Sequence, residues 1–420
     1  MTSKLVWILR RIIRQIWFRV SVYGLAAILT ALVASVLADF VPKEIANRVG
    51  DGTASSILSI LASSMLVVAT FSLGSMVQAY AAASQSVTPR ATQILIDDSF
   101  SQNVISTFLG AFVFAMGGLI ALSLDLYSRA GEFVLVVVSG LVITLVLTSL
   151  FGWLDHLANL VRLGETMAKV SSRAEAVLRT RAAAPRLGGV SPTAGSRDGT
   201  AVWPETTGYV RHVDPFRLQK IAAKAEGHIR INSMPGNLAD PTTPLLWASW
   251  APDEGEITAM RSAFTLGLER SFDQDPRFCL QVLTEIASRA LSPGINDPGT
   301  AIGVIAAQQR LLAIWCEVRI AGEKLPADCP RVMAPRLSTD DLFDDAFGPL
   351  LRDAAGMVEV GGRLQKTLAS LAALGPADYA RAAQSFSARA ILHSDEALPV
   401  ADDRERLQAL SARVASTAGL

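Results

Sequence analysis

The sequence predicts a membrane α-helical protein: four transmembrane helices, then a cytosolic α+β region made of a small β-rich module and a helical domain. Three observations carry that expectation. Half of the 420 residues are hydrophobic and the mean hydropathy is +0.36, more apolar than an average soluble chain. Almost all of the long apolar runs lie before residue 158, so the hydrophobicity is segregated along the chain. Residues Gly52 to Pro89 contain no Asp, Glu, Lys, Arg or His, a run longer than the roughly 20 residues needed to cross about 30 Å of hydrocarbon.

Residues 1–19 carry Lys4, Arg10, Arg11, Arg14 and Arg19 and no acid, interleaved with Leu5, Trp7, Ile8, Ile12, Ile13, Ile16 and Trp17. That composition predicts a basic amphipathic segment on an anionic leaflet. Val20 to Ala38 is an uncharged run that starts basic and ends small, as a signal peptide does. It is long for the apolar core of such a peptide and three further spans follow, so it is read as a retained first span. The second span covers about 54–83 and projects beyond the bilayer near Ser84 to Pro89, since the whole run would reach about 57 Å as a helix. A third span covers about 104–124, where Gly110, Gly117 and Gly118 permit close packing, and a fourth covers about 133–154. Basic residues cluster before the first span and after the fourth (Arg162, Lys169, Arg173, Arg179, Arg181, Arg186), against only Lys43, Arg48 and Arg129 in the two expected outer loops. The positive-inside rule then predicts cytoplasmic N- and C-termini.

Beyond the spans, 158–181 reads as an amphipathic helix and 182–207 as a flexible linker rich in Pro, Gly, Ser and Ala. Residues 208–251 form the β-rich module, with β-prone pieces at Gly208 to Val213 and His228 to Asn232 around a short helix, Pro215 to Gly227. The remainder, 252–420, is the helical domain. Apolar spacing of helical period runs over 256–272, 276–291, 298–320, 339–374, 376–393 and 401–416. The proline-containing stretch 321–338 is expected to be mobile or exposed.

Two constellations are candidate sites. On a helix at 100° per residue, Ser56, Ser59, Ser63, Thr70, Gly74 and Gln78 fall within about 60° of one direction. Such a stripe either lines a pore or lets a second helix approach closely. The other is the run Ser292-Pro293-Gly294-Ile295-Asn296-Asp297-Pro298-Gly299-Thr300. Asp297 followed by Pro298 is a strong helix cap and first-turn pair, and a tight turn between helices explains every residue. The functional alternative makes Ser292, Asn296, Asp297, Gly299 and Thr300 a ligand or partner site at a helix N-terminus, where Asp297 disfavours an anion.

Other features point away from chemistry. His156, His212, His228 and His393 have no second ligand at metal spacing, so neither a metal nor a cofactor is expected. Asp340-Asp341 and Asp344-Asp345 read as acids opposing a helix dipole. Cys279, Cys316 and Cys329 read as buried, reduced thiols. There is no P-loop, no GxGxxG after a strand, no HExxH and no GxSxG, so no enzymatic activity is expected. The 38 basic and 38 acidic residues cancel, which gives no electrostatic basis for binding nucleic acid. The inner parts of the spans lack ionisable groups, against a coupled transporter.

Three stretches together resemble one family: Ser84-Gln85-Ser86-Val87-Thr88-Pro89-Arg90 with Phe108 to Phe112; Gly208-Tyr209-Val210 through Asp214; and Ala290 to Pro298 with Thr300-Ala301. The chain is similar to the bacterial DUF2254 membrane proteins, a family of unknown function. The resemblance implies a multi-span protein of the bacterial inner membrane with a cytosolic C-terminal part, and implies no catalytic residues. Where the family pattern has two adjacent histidines after the fourth span, this chain has Asp155 and His156. The segment Gly208 to Trp250 also resembles, more loosely, a biotinyl/lipoyl-type barrel without a modifiable lysine, which suits an interaction or assembly module.

The functional expectation is an oligomeric channel with a pore lined by the second span. The alternative is a membrane-anchored cytosolic sensor or scaffold that binds a partner or ligand. The partners expected are the lipid bilayer, further copies of the chain, and a cytosolic protein or small ligand.

Overall fold

The computed structural model describes residues 17, 18, 20–22, 24, 25, 50, 52–86, 88–91, 99–160, 163–193, 199–323 and 325–417. The basic segment 1–19, the first span 20–38, the loop 39–51 and the acid pair Asp97-Asp98 therefore lie wholly or largely outside the described residues. The chain divides into two compact units, one of apolar helices and one comprising residues 167–420 together with 88–91.

The apolar unit contains α1 (Thr53–Ser86), α2 (Ser99–Ser123) and α3 (Arg129–Leu160). Each is long and apolar enough to cross a membrane. Leu58, Leu61 and Met65 of α1, Ile105, Phe108 and Ala115 of α2, and Leu135, Val146 and Trp153 of α3 form its core. In lipid there is little hydrophobic gain from helix association, so close fit supplies the attraction. Gly118 on α2 shows this fit: a Cβ there would stand 2.9 Å from Leu58 Cδ1. A larger residue would require the Leu58 side chain to shift.

The C-terminal unit begins in α4 (Leu163–Ala183) and continues with seven short strands. One sheet has the order β1 (Thr200–Val202), β5 (Leu246–Ala248), β3 (Ile229–Ile231), β7 (Val332–Met333), antiparallel except for the parallel pair β3–β7. The other is antiparallel, in the order β4 (Leu238–Ala239), β2 (Gly208–Val213), β6 (Phe264–Gly267). Two capped helices accompany them. In α5 (Pro215–Lys224) Asp214 accepts from Arg217 N, and in α6 (Glu254–Arg261) Asp253 and Glu256 form a reciprocal capping box. Val210, Leu218, Ile229, Ile231, Leu246, Phe264 and Val332 are buried together in their core.

This module draws on more chain than the expected 208–251. The stretch expected as a free linker buries Leu187, bridges Val190 to Met333 and supplies β1. The proline-containing stretch expected to be mobile or exposed supplies β7 and buries Cys329. The helix expected over 256–272 ends at Arg261, because Phe264–Gly267 pairs with β2. The reason is size. Strands of two to six residues cannot enclose a core without partners from distant segments.

The helices α7 (Pro276–Ala290), α8 (Pro298–Gly322), α9 (Thr339–Asp353), α10 (Val358–Ala372), α11 (Ala377–Ala397) and α12 (Ala401–Thr417) complete the unit. The helical spacing expected over 339–355 and onward to 374 is divided between α9 and α10. Helix α8 also meets the length and composition of a membrane span. It is packed against α7 and α10, with Gln308, Leu312 and Trp315 buried, and this packing accounts for its apolar character.

Candidate functional site

On α1 the six stripe residues, Ser56, Ser59, Ser63, Thr70, Gly74 and Gln78, are all exposed. The buried positions of the same helix are Ala54, Leu58, Leu61, Ala62, Met65, Ala69, Ser72, Met76 and Ala79, centred about 180° away on the helical wheel. The stripe is thus not the face that meets the other described helices of its chain. Two of its hydroxyls, those of Ser63 and Thr70, are satisfied locally. Ser63 Oγ donates to Ser59 O at 2.9 Å and lies 3.1 Å from Ile60 O, and Thr70 Oγ1 lies 2.9 Å from both Leu66 O and Val67 O. Such back-bonding removes most of the cost of holding a hydroxyl in an apolar setting. Exposed Ile60, Leu66, Phe71 and Leu73 flank the stripe.

At the Ser292 to Thr300 turn, the local sequence builds a closed set of hydrogen bonds. Ser292 O accepts from Ile295 N and Asn296 N, and Asp297 N donates to Ala290 O at 2.7 Å. Asn296 has φ 51°, in the left-handed region that Asn tolerates better than most residues. Asp297 caps α8, accepting from Thr300 N at 3.0 Å and Thr300 Oγ1 at 2.6 Å. Those hydrogen bonds, the Thr300 hydroxyl first, hold its carboxyl below the usual range. Ser292 Oγ donates to Arg289 O. Gly299 lies in the first turn and is exposed. Asp297 and Thr300 are brought together, but as cap and capped residue. Their polar groups serve the turn and leave no converging donor set.

His156, singled out at the end of α3, lies 3.2 Å through Nε2 from Ser101 Oγ, with its ring 4.7 Å from Phe100 and 6.0 Å from Trp153. This is a packing environment within the apolar unit.

A third constellation was not visible in the sequence. Asp275 caps α7, accepting from Phe278 N at 3.1 Å, and is paired with Arg270, whose Nε lies 2.7 Å from Oδ2. Arg270 also donates to Gln281, which donates to Asp345 Oδ1; Asp345 in turn accepts from Arg277, and Arg277 reaches Asp341 at 2.9 Å. Burial pushes the Asp275 carboxyl up, a tendency that the neighbouring Arg270 charge opposes. The Cys279 thiol is likewise pushed well up by burial, with Asp275 adding to the effect, so it is an inert core thiol rather than a nucleophile. Asp345 therefore does more than oppose a helix dipole. Its side chain is 4% exposed and it anchors α9 to α7.

Arg181, in the last turn of α4, stands apart from this chain of pairs. It is 5% exposed, and neither Nη1 nor Nη2 has a hydrogen-bond partner. Burial lowers its guanidinium to about 10, and the Asp275 charge only partly restores it. An arginine in a helix that reads as amphipathic gives no sequence signal of burial.

Among the described residues no group of three or more His, Cys, Asp or Glu side chains is placed to hold a metal ion. The described residues contain a polar face on an apolar helix, a braced ion network and a buried arginine, Arg181, whose terminal nitrogens make no hydrogen bond.

The family model described as "Predicted membrane protein (DUF2254)" matches residues 13–370. Relatives include the uncharacterized protein Rv1290c of Mycobacterium tuberculosis (strain ATCC 25618 / H37Rv) and the uncharacterized protein Mb1321c of Mycobacterium bovis. Each is 27% identical over 304 residues, covering 68% of this chain and 56% of the relative. The chain thus matches little more than half the length of those relatives. No solved structure matches it. With the family match covering the apolar helices, the strands and most of the helical bundle, the chain is a member of the DUF2254 family of predicted membrane proteins.

Proposed function

We propose that this membrane protein assembles from several copies into a channel, with the Ser56, Ser59, Ser63, Thr70, Gly74 and Gln78 face of α1 turned to the lumen. The observation that carries this reading is the opposition of two faces on one helix. Leu58, Leu61 and Met65 pack inside the chain together with small residues such as Ala62 and Ala69, while the hydroxyl-bearing stripe points away from it, beside exposed Val67. A helix in a ring needs four surfaces: one for its own chain, two flanks for neighbouring copies and one for water. Ile60, Leu66, Phe71 and Leu73 supply apolar flanks, and the stripe between them is small enough to leave a lumen.

The test is reactivity of a cysteine introduced at Ser59 or Ser63 toward a membrane-impermeant thiol reagent, after replacement of Cys279, Cys316 and Cys329. Fast labelling in native membranes, together with conductance after reconstitution, supports the channel. Ser63→Leu should then reduce conduction. No labelling combined with cross-linking between copies makes the stripe a packing face, and the membrane-anchored sensor or scaffold becomes the better reading. Absence of any conductance over a wide range of voltage, tension and ligands sinks the channel.

A further inference from the structure

Among the described residues of the C-terminal unit, several arginines are paired with carboxylates, whereas Arg181 makes no hydrogen bond through either terminal nitrogen. Arg173 is paired with Asp273 at 2.8 Å, Arg270 with Asp275 at 2.7 Å, Arg277 with Asp345 and Asp341, and Arg319 with Asp378 at 2.6 Å. Arg181 has the Asp275 charge nearby, but that carboxylate is already occupied by Arg270 and the Phe278 N–H. Both terminal nitrogens of Arg181 are enclosed and make no hydrogen bond. In the turn that follows α4, Arg186 Nε is a second enclosed donor without a partner. A buried guanidinium with free donors is costly unless something completes it, and its forked geometry fits two oxygens of one planar or tetrahedral anion.

From this we infer that Arg181 is the receiving group of an oxyanion site at the end of α4, taking a singly charged carboxylate or phosphate-type group on its Nη1 and Nη2 donors. The two terminal donors of Arg181 are unfilled, and the Asp275 charge beside it disfavours an anion carrying more than one charge. The closed packing of Leu178 and Ala182, both 0% exposed, requires the last turn of α4 to loosen for the anion to enter. Loading then re-forms the turn around the anion, so the site couples ligand to the stability of α4. This inference does not depend on the channel reading.

The experiment uses the full chain in uncharged detergent. Thermal unfolding is followed with acetate or inorganic phosphate against chloride at equal ionic strength. In a separate arm, a phosphodiester lipid with an anionic headgroup is added to the micelles. Wild type should show a saturable rise of several degrees with the oxyanion and none with chloride. Arg181→Met removes an unpaired buried charge, so it should fold, and it should lose the rise. Arg181→Lys keeps the charge without the fork and should show a weaker rise. A rise that depends on Arg181 only in the lipid arm assigns the site to a headgroup, and one in the salt arms assigns it to a free anion. If wild type and both variants respond alike in every arm, the site does not exist.

Discussion

Helices α1 and α8 are both long and apolar enough to cross a membrane, yet they dispose of their polar residues in opposite ways. On α1 the hydroxyls of Ser63 and Thr70 bond to carbonyls of their own helix, and the polar face is turned out of the chain. On α8, Gln308 is fully buried and donates to Leu280 O at 2.8 Å and to Thr284 Oγ1 at 3.1 Å on α7, while Arg319 is paired with Asp378 on α11. Self-contained polar groups suit a helix whose surroundings are lipid, a lumen or another copy. Polar groups with partners in other elements suit a helix enclosed by its own fold. Length and composition alone do not separate the two cases.

The contrast can be broken by mutation, beginning in the C-terminal unit, where polar groups are structural. Asp345→Ala should have the largest effect. It leaves Gln281 and Arg277 facing a vacated buried position, and loss of one partner of a buried pair costs about 3–5 kcal/mol. Arg277 keeps Asp341 at 2.9 Å, so the lower end of that range is expected, measured as a drop in the thermal or urea midpoint. Gln308→Leu should follow at about 1–2 kcal/mol, the loss of buried hydrogen bonds offset by removal of an acceptor, Oε1, that has no partner. If Gln308→Leu were neutral while Gln78→Leu on α1 were severe, the assignment of α8 to a packed bundle and α1 to an outward face would be reversed.

The same contrast explains what the sequence made legible. The three described apolar helices could be read directly, because hydrocarbon demands a contiguous apolar run and leaves few alternatives. The Ser292 to Thr300 turn was equally plain, since Asp297-Pro298 specifies a cap through local geometry and Asp297 is found capping α8. The β module was only half legible. Gly208 to Val213 shows strand character by itself, whereas β7 is two residues, Val332–Met333, recruited through parallel pairing with β3. No local pattern encodes that partner. The ion network was illegible for a related reason: Arg270, the α7 cap Asp275 and Gln281 of α7 meet Asp345 of α9 only in the folded chain, and Asp345 beside Asp344 reads as an ordinary acidic stretch near a helix start. Only the shared side of Asp341 and Asp345, four residues apart on α9, hinted at a common cation.

A smaller effect should appear with pH at the Arg319–Asp378 pair. Burial alone would raise the Asp378 carboxyl, but hydrogen bonds from Arg319 and Thr339 and the Arg319 charge outweigh it and hold the group at about 2. Its folded value lies below the unfolded value of about 3.9, so ionised Asp378 stabilises the fold above about pH 4, and the contribution is lost as pH falls through about 2. Asp378→Asn should therefore cost about 1–2 kcal/mol at neutral pH, after allowance for partial solvent screening. The gap between wild type and variant should close on acidification. A gap that stays constant to pH 2 would mean that the contact acts through packing or neutral hydrogen bonds rather than through charge.

The smallest effect on stability is expected at Ser63 on α1, and that near-zero value is itself the informative outcome. Ser63 Oγ bonds only to Ser59 O and Ile60 O of its own helix, and the side chain is exposed in the single chain. Ser63→Ala removes that back-bond and keeps the small size, so folding should change by no more than about 0.5 kcal/mol. If the stripe lines a water-filled lumen, the lost hydroxyl alters the pore surface, and conductance should shift while the unfolding midpoint stays in place. If the stripe is a tight contact between copies, Ala should be tolerated in both respects, whereas Ser63→Leu should weaken cross-linking between copies without changing the fold of either unit. A large loss of stability from Ser63→Ala would contradict both, because it would require a partner for Ser63 inside its own chain.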